Sequence, residues 1–142
     1  MIKFKKINFE KKFLNLVLKI RNEKLSRLMS VDKKLISKKK HYSWFLNGIK
    51  KEIYLIEYQK KIVGYIRIMF KKKYELSWAM AERYRGKNLG YVSLKLFLKK
   101  NPSNKYICLI KKNNIPSLIM AIKNNFIFTK RRKNIIFLQI EK

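Results

Sequence analysis

The chain has a single cysteine, Cys108, and a single histidine, His41. One thiol excludes an internal disulfide framework, and one thiol with one imidazole falls short of a Cys/His metal centre. No apolar run approaches the ~18 residues needed to cross a bilayer. The opening Met1-Ile-Lys-Phe-Lys-Lys alternates apolar and basic residues and lacks the continuous apolar stretch of a signal peptide. A cytoplasmic location away from membranes is the expectation. Two prolines and four glycines leave little punctuation, so each is informative. What the chain does have is core-forming material, 47% hydrophobic and 13% aromatic residues over 142 positions. That composition excludes a disordered tail and suits one domain spanning residues 1–142.

Acidic side chains are scarce, eight against 37 basic ones, giving a formal net charge of +29. Such a charge suggests a nucleic-acid partner. Three features argue otherwise. Lys supplies 30 of the 37 basic residues, whereas the forks that grip bases and phosphates are usually Arg. The lysines run from Lys3 to Lys142 without gathering into one arm. Lys, Ile and Asn together make 61 residues, and all three have A/T-rich codons, so the bias reads as compositional. The runs Lys38-Lys39-Lys40, Lys71-Lys72-Lys73 and Lys130-Arg131-Arg132-Lys133 read as solvated turns. The field would still attract anionic ligands.

Periodicity gives the element order. Residues 1–7 alternate like a strand. Phe13, Leu14, Leu16, Val17, Leu18 and Ile20 suit a helix over 9–20, and Leu25, Leu28 and Met29 a short second one. Ser37–Leu46 reads as a helix capped by Ser37. Strands at Glu52–Tyr58 and Lys61–Phe70 form a hairpin across Gln59-Lys60, and Tyr74–Met80 is a third strand. A loop over Gly86–Gly90 precedes a helix over Tyr91–Lys99. Tyr106–Ile110 is a buried strand, Pro116 opens a helix to about Asn124, and Phe126–Thr129 with Asn134–Ile140 closes the chain as a hairpin. This order specifies an α/β (α+β) fold with a mostly antiparallel sheet.

Chemistry concentrates in Tyr74-Glu-Leu-Ser-Trp-Ala-Met-Ala-Glu-Arg-Tyr-Arg-Gly-Lys-Asn-Leu-Gly-Tyr91. A strand feeding a basic loop at a helix N-terminus aims several backbone N–H groups and the positive end of the helix dipole at one point. That geometry suits phosphate. The stretch is neither a Walker loop nor a dinucleotide fingerprint, because the required glycine spacings are absent.

This stretch resembles motif A of the GNAT N-acetyltransferase superfamily, where Gln/Arg-x-x-Gly-x-Gly/Ala grips the pyrophosphate of acetyl-coenzyme A. Arg85 matches the first position and Gly90 the last, while Asn88 stands where the first motif glycine is usual. Arg83-Tyr84-Arg85-Gly86-Lys87 is similar to the family's Tyr-Arg-Gly-Lys-Gly run. Ile62-Val63-Gly64-Tyr65-Ile66 resembles its central hairpin strand. Asn113-Asn114-Ile115-Pro116-Ser117 followed by Asn124-Asn125-Phe126 resembles the later block that contacts the coenzyme arm, with Asn125 replacing the usual Gly. Arg21-Asn22 and His41-x-x-Trp44 resemble a subgroup of pseudaminic acid-pathway amino-sugar acetyltransferases and ribosomal-protein N-terminal acetyltransferases.

The resemblance implies a fold in which two neighbouring strands, Tyr74–Met80 and Tyr106–Ile110, splay to admit acetyl-coenzyme A. Its site would comprise the backbone of Trp78, Ala79 and Met80, the loop Arg85, Gly86, Lys87, Asn88, Leu89 and Gly90, and Asn114 with Ser117. No metal is implied. For the base the candidates are Glu75, His41 and Glu82; Glu75 reads equally as a solvent-facing charge and His41 as a packing residue. Cys108 reads as core. The tyrosine that many members use to protonate the leaving thiolate falls at Ala121. Arg21, Asn22 and Trp44 would border the acceptor, with Trp44 and Trp78 either a stacking wall or core. The implied acceptor is a small amine, foremost an anionic nucleotide-activated amino sugar; alternatives are a protein N-terminus, a polyamine, or a catalytically inactive or RNA-binding accessory protein. Either a monomer or a homodimer fits.

If the charge is compositional, binding to duplex DNA or RNA will be weak and indifferent to sequence. It will collapse between ~50 and ~200 mM salt, as counterion-release binding does. Fluorescence anisotropy against unrelated duplexes checks this, and tight sequence-selective binding at physiological salt is the contrary result.

Overall fold

Side chains at alternate strand positions face opposite sides of a sheet, and here both sides carry apolar residues, so the sheet needs a cover on each face. The computed structural model describes residues 1–30, 34–46, 49–103 and 105–140. Its strands are β1 (Ile2–Lys6), β2 (Lys51–Tyr58), β3 (Lys61–Phe70), β4 (Tyr74–Met80), β5 (Tyr106–Lys111), β6 (Phe126–Arg132) and β7 (Ile135–Ile140). They form one sheet in the order β1-β2-β3-β4-β5-β7-β6, antiparallel except at β4–β5. Helices α1 (Lys11–Arg21), α2 (Lys24–Met29) and α3 (Lys38–Leu46) lie between β1 and β2; α4 (Leu89–Lys100) links β4 to β5, and α5 (Ile115–Lys123) links β5 to β6.

Two cores result. On one face Leu89, Leu94 and Phe97 of α4 and Ala121 of α5 pack on Ile66, Ile68, Leu76, Cys108 and Leu138. On the other, Leu14, Val17 and Ile20 of α1 and Phe45 of α3 pack on Ile53, Leu55 and Tyr65. Cys108 is core as expected, and burial pushes its thiol up to about 12, so it stays protonated. A Cβ at Gly64 would lie 2.5 Å from the Ala79 carbonyl oxygen, which explains a glycine in the middle of β3.

The expected fold class and element order match the structure, with differences at the boundaries. Lys38-Lys39-Lys40 is the first turn of α3 and not a free turn, held there because the Lys40 N–H donates to Ser37 Oγ (3.2 Å). Lys130-Arg131-Arg132 belongs to β6, where pairing with Phe137, Ile136 and Ile135 outweighs its charge. Helix α4 starts at Leu89, two residues early, and takes Gly90 into its first turn. A glycine-poor chain must bend with other residues, and Gln59 (φ 51°), Lys60 (63°), Asn88 (62°), Asn125 (71°) and Lys133 (55°) are all left-handed. Asn88 and Asn125 are the two positions where the resembled motifs carry glycine, and Asn tolerates this backbone better than most residues.

Two consequences are measurable. Gln59-Lys60 has the paired positive φ of a type I′ turn, which Asn-Gly adopts with less strain. Replacing Gln59-Lys60 with Asn-Gly should add about 1 kcal/mol, raising Tm by roughly 2–4 °C for a chain of this size. Second, His41 is buried between helices, where its Nε2–H donates to the Leu14 carbonyl (2.9 Å) and its ring meets Phe45 edge-on. Burial lowers its pKa, and the hydrogen bond only partly offsets this. The unfolded chain therefore binds more protons just below its ordinary value of ~6.5, and stability is lost as pH falls from there toward the folded pKa. Tm should drop between pH 7 and 5.5, and the drop should shrink in His41→Gln; an unchanged slope in that variant would assign it elsewhere.

Candidate functional site

Strands β4 and β5 start as neighbours and then part. Their parallel register holds only Tyr74↔Tyr106 and Glu75↔Ile107, and among the described residues no rung joins the rest of β4 to β5. The Tyr74 N–H donates across to the Lys105 carbonyl (3.0 Å). By the two-residue period the N–H groups of Trp78 and Met80 face the same edge, now unpaired. The Trp78 side chain packs on the α4–α5 core, and its Nε1 is buried with no hydrogen-bond partner. An orphaned buried donor beside an open strand edge is costly unless something accepts from it.

Past Met80 the chain makes a 3-10 turn (Glu82–Tyr84), then passes through left-handed Gly86 (φ 75°) and Asn88 into α4. The Asn88 side chain makes no cap, so the first N–H groups of α4, at Leu89, Gly90 and Tyr91, lack helical acceptors and point outward with the positive end of the dipole. Exposed Arg83 and Lys87 flank them, both against the Tyr84 ring (5.3 and 5.9 Å). Arg85 differs. Its Nη2 donates to Ser26 Oγ (2.9 Å) and its Nε to the Met80 carbonyl (3.3 Å), so the side chain braces the loop from behind. Gly90 is also a packing position, because a Cβ there would lie 3.0 Å from Met120 Sδ and 3.4 Å from Met80 Cγ. Asn114 caps α5, its Oδ1 accepting from the Ser117 N–H (3.3 Å).

The other expected residues lie on the α1–α3 face of the sheet or its helices. Glu75 is half-buried on β4, with Oε1 3.5 Å from Lys71 Nζ, and so is not a freely solvated charge. His41, at the α1–α3 contact, packs, while Glu82 is exposed in the loop. Both ends of the Asn22 side chain clasp the Ile36 backbone (2.9 and 3.0 Å), so Asn22 shapes the segment before α3. Trp44 and Trp78 do not form one wall. Trp78 pairs with Ile66 and shares its face, whereas the Trp44 ring sits over Arg67 (4.9 Å) and Lys51 (4.3 Å) on the opposite face. Ala121 is fully buried and offers no hydroxyl.

Sequence reasoning missed Arg67, Lys51 and Lys111. Lys51 and Lys111 are buried, their Nζ atoms donating to the Trp44 (2.7 Å) and Leu28 (3.1 Å) carbonyls. Arg67 lies opposite Ser77, facing the α1–α3 side, with a buried Nε that has no partner. The signal was legible: Arg67 is the one charge in the run Ile62–Phe70.

No protein-family model matches the sequence, and no curated protein matches it. Solved structures match in shape. A domain from Methanocaldococcus jannaschii superposes with a TM-score of 0.85 and 22% identity, over 100% of this chain and 99% of that one. A ribosomal-protein-alanine N-acetyltransferase from Brucella melitensis gives 0.76 at 18% identity, over 99% of both chains. The Campylobacter jejuni N-acetyltransferase PseH in complex with acetyl coenzyme A gives 0.69 at 16% identity, over 100% of this chain and 99% of that one. With its seven-stranded, mostly antiparallel sheet parted at β4–β5, the chain has the fold of the GNAT N-acetyltransferases.

Proposed function

We propose that the chain is an acetyl-coenzyme A-dependent N-acetyltransferase acting on a small amine, foremost a nucleotide-activated amino sugar. The observation that carries this reading is the parting of β4 from β5 directly before the uncapped start of α4. The residues present fit the coenzyme. The N–H groups of Leu89, Gly90 and Tyr91, with Lys87 and Arg83 beside them, suit its pyrophosphate. The open edge of β4 at Trp78–Met80 suits the amide-bearing arm, and the orphaned Trp78 Nε1 supplies a further donor. Asn114 and Ser117 open α5, the helix that follows β5. Arg85 contributes by holding the loop in shape.

Acetyl-coenzyme A supplies an acyl group activated as a thioester. The protein must then deprotonate the amine, polarise the carbonyl and release a thiolate. Glu75 stands on the last rung before the strands part, and is the proton acceptor of this scheme, directly or through water. Backbone N–H groups of β4 polarise the carbonyl, fixed donors needing no reorganisation. With Ala121 buried and lacking a hydroxyl, water or another hydroxyl protonates the thiolate.

The Arg21-Asn22 and His41-x-x-Trp44 resemblance supports the sugar. Likeness to the Brucella melitensis enzyme supports a protein N-terminus as the second reading.

The coenzyme site is tested at Gly90. An added methyl presses only on the flexible end of Met120 and makes an ordinary 3.4 Å contact with Met80 Cγ, so Gly90→Ala should keep acetyl-coenzyme A affinity within about threefold, roughly 0.7 kcal/mol. Gly90→Val should displace the start of α4 and cost at least tenfold, and Met120→Ala in the same chain should restore part of it. Calorimetry reads all three, and unchanged affinity in Gly90→Val would remove the site from this loop. Free-thiol release with UDP-amino-sugars, ribosomal N-terminal peptides and spermidine tests the acceptor: turnover with the peptide alone would shift the assignment to the second reading.

A further inference from the structure

On the α1–α3 face of the sheet, Arg67 has no counter-ion among the described residues. Among the described residues, neither a hydrogen bond nor an ion pair reaches the Arg67 guanidinium, and its Nε is out of contact with solvent. Its surroundings add charge of the same sign. The charges of Arg21 and Arg67 act on one another, and Lys51 lies near enough that Arg67 depresses its ionisation. The Trp44 ring carries Lys51 Nζ at 4.3 Å and Arg67 Cζ at 4.9 Å, and is itself exposed. Among the described residues the acid whose charge reaches Arg67 is Glu75, and that carboxylate is engaged by Lys71 at 3.5 Å. Arg67 and Glu75 sit on one face at diagonal positions of β3 and β4, about 7–8 Å apart, and still do not pair.

Arg67 is half-buried, and the Nε that water does not reach is a donor left without an acceptor, a costly state for a guanidinium. Tyr65, whose hydroxyl burial keeps protonated, cannot neutralise it. Compositional drift does not account for it either. The bias of this chain is toward Lys, 30 against 7 Arg, and two of those seven stand in this one cluster. Arg presents a planar fork that matches a carboxylate or phosphate with two parallel hydrogen bonds, which Lys cannot do. The cluster also lies beside Ser77 and Glu75, on the face of β4 opposite to the Trp78 ring.

We infer that Arg67, with Arg21 beside it and Trp44 over it, is the specificity-determining residue that holds an oxyanion of the amine acceptor, a phosphate or a carboxylate. This rests on the acetyl-transfer reading for the word acceptor, but the oxyanion site itself does not. An acceptor anchored at Arg67 extends along β4 past Glu75, the group that takes its proton. A cationic polyamine is excluded by the same charges.

The test is calorimetry at 150 mM salt on protein saturated with coenzyme A, which occupies the phosphate-binding loop. Two probes separate the sources of the oxyanion: UDP for phosphate and L-glutamate for carboxylate. At least one should bind. Arg67→Met should weaken that probe at least tenfold, and Arg67→Lys should fall between, because it keeps the charge and loses the fork. Lys73→Ala, an exposed cation, should change nothing. Coenzyme A affinity should stay within about twofold in Arg67→Met, and Tm should hold or rise, since a shielded donor without an acceptor has been removed. Binding of neither probe, equal binding to Arg67→Met, or a fall in Tm with joint loss of coenzyme A affinity would each overturn the inference. Failure of the wild-type protein to bind coenzyme A would instead overturn the acetyl-transfer reading, and the UDP and glutamate arms on the coenzyme-free protein would still decide the role of Arg67.

Discussion

Among the described residues β4 and β5 share just two parallel rungs, and the rest of the molecule is arranged around their parting. A strand edge with open N–H groups inside a sheet is ordinarily an unsatisfied liability. Here the sheet stays intact because β4 is fully paired to β3 over Gly64↔Met80 to Phe70↔Tyr74, while β5 is carried by β7. Each of the two strands thus has a paired neighbour on its other side, so the gap need not close. Gly64 lets β3 approach β4 where the strands have parted, which keeps the β4 end firm.

Charge acts at two scales. The +29 of the whole chain is spread over exposed lysines and is screened beyond roughly 8 Å at physiological salt. It concentrates anions near the surface without choosing among them. The Arg67 cluster is different in kind, because a half-buried fork beside an aromatic ring is screened less than an exposed lysine and has a geometric preference. Exposed Lys87 and Arg83 at the start of α4 stand between these cases, since the backbone dipole fixes the position of an anion and the side chains add field.

Much of this was legible in the sequence. The strands Lys61–Phe70 and Tyr74–Met80 have the bounds expected of them, because the Gln59-Lys60 gap and the triple-lysine turn bracket apolar runs. The phosphate-type loop was legible from strand, glycine and helix in succession. Errors arose where tertiary contacts override local character. Lys130–Arg132 looks like a turn until β7 supplies partners, and Arg85 looks like a ligand fork until Ser26, 59 residues away, claims it. Asn22 looked like a pocket residue, but its amide serves the Ile36 backbone. Arg67 was overlooked because a lone charge in a strand reads as noise in a chain with 37 basic residues.

The two sides of the parted strands are not independent, and the reason is α2. Six residues are too few to hold a helix by propensity, so α2 depends on what it touches. Its Ser26 receives Arg85 from the loop after β4, and its Leu28 carbonyl receives Lys111 from the end of β5. Glu23, just before it, accepts from the Glu82 N–H (2.9 Å) in the same loop. The helix thus spans the open end of the strand pair, tied to both branches. Arg21 ends α1 two residues earlier, so the cation cluster and this strap share one short stretch of chain. A shift of the loop would be felt at α2, and through it at Arg21. Arg85 faces inward because the strap needs a long side chain with several donors at that point, while the anion position needs only backbone.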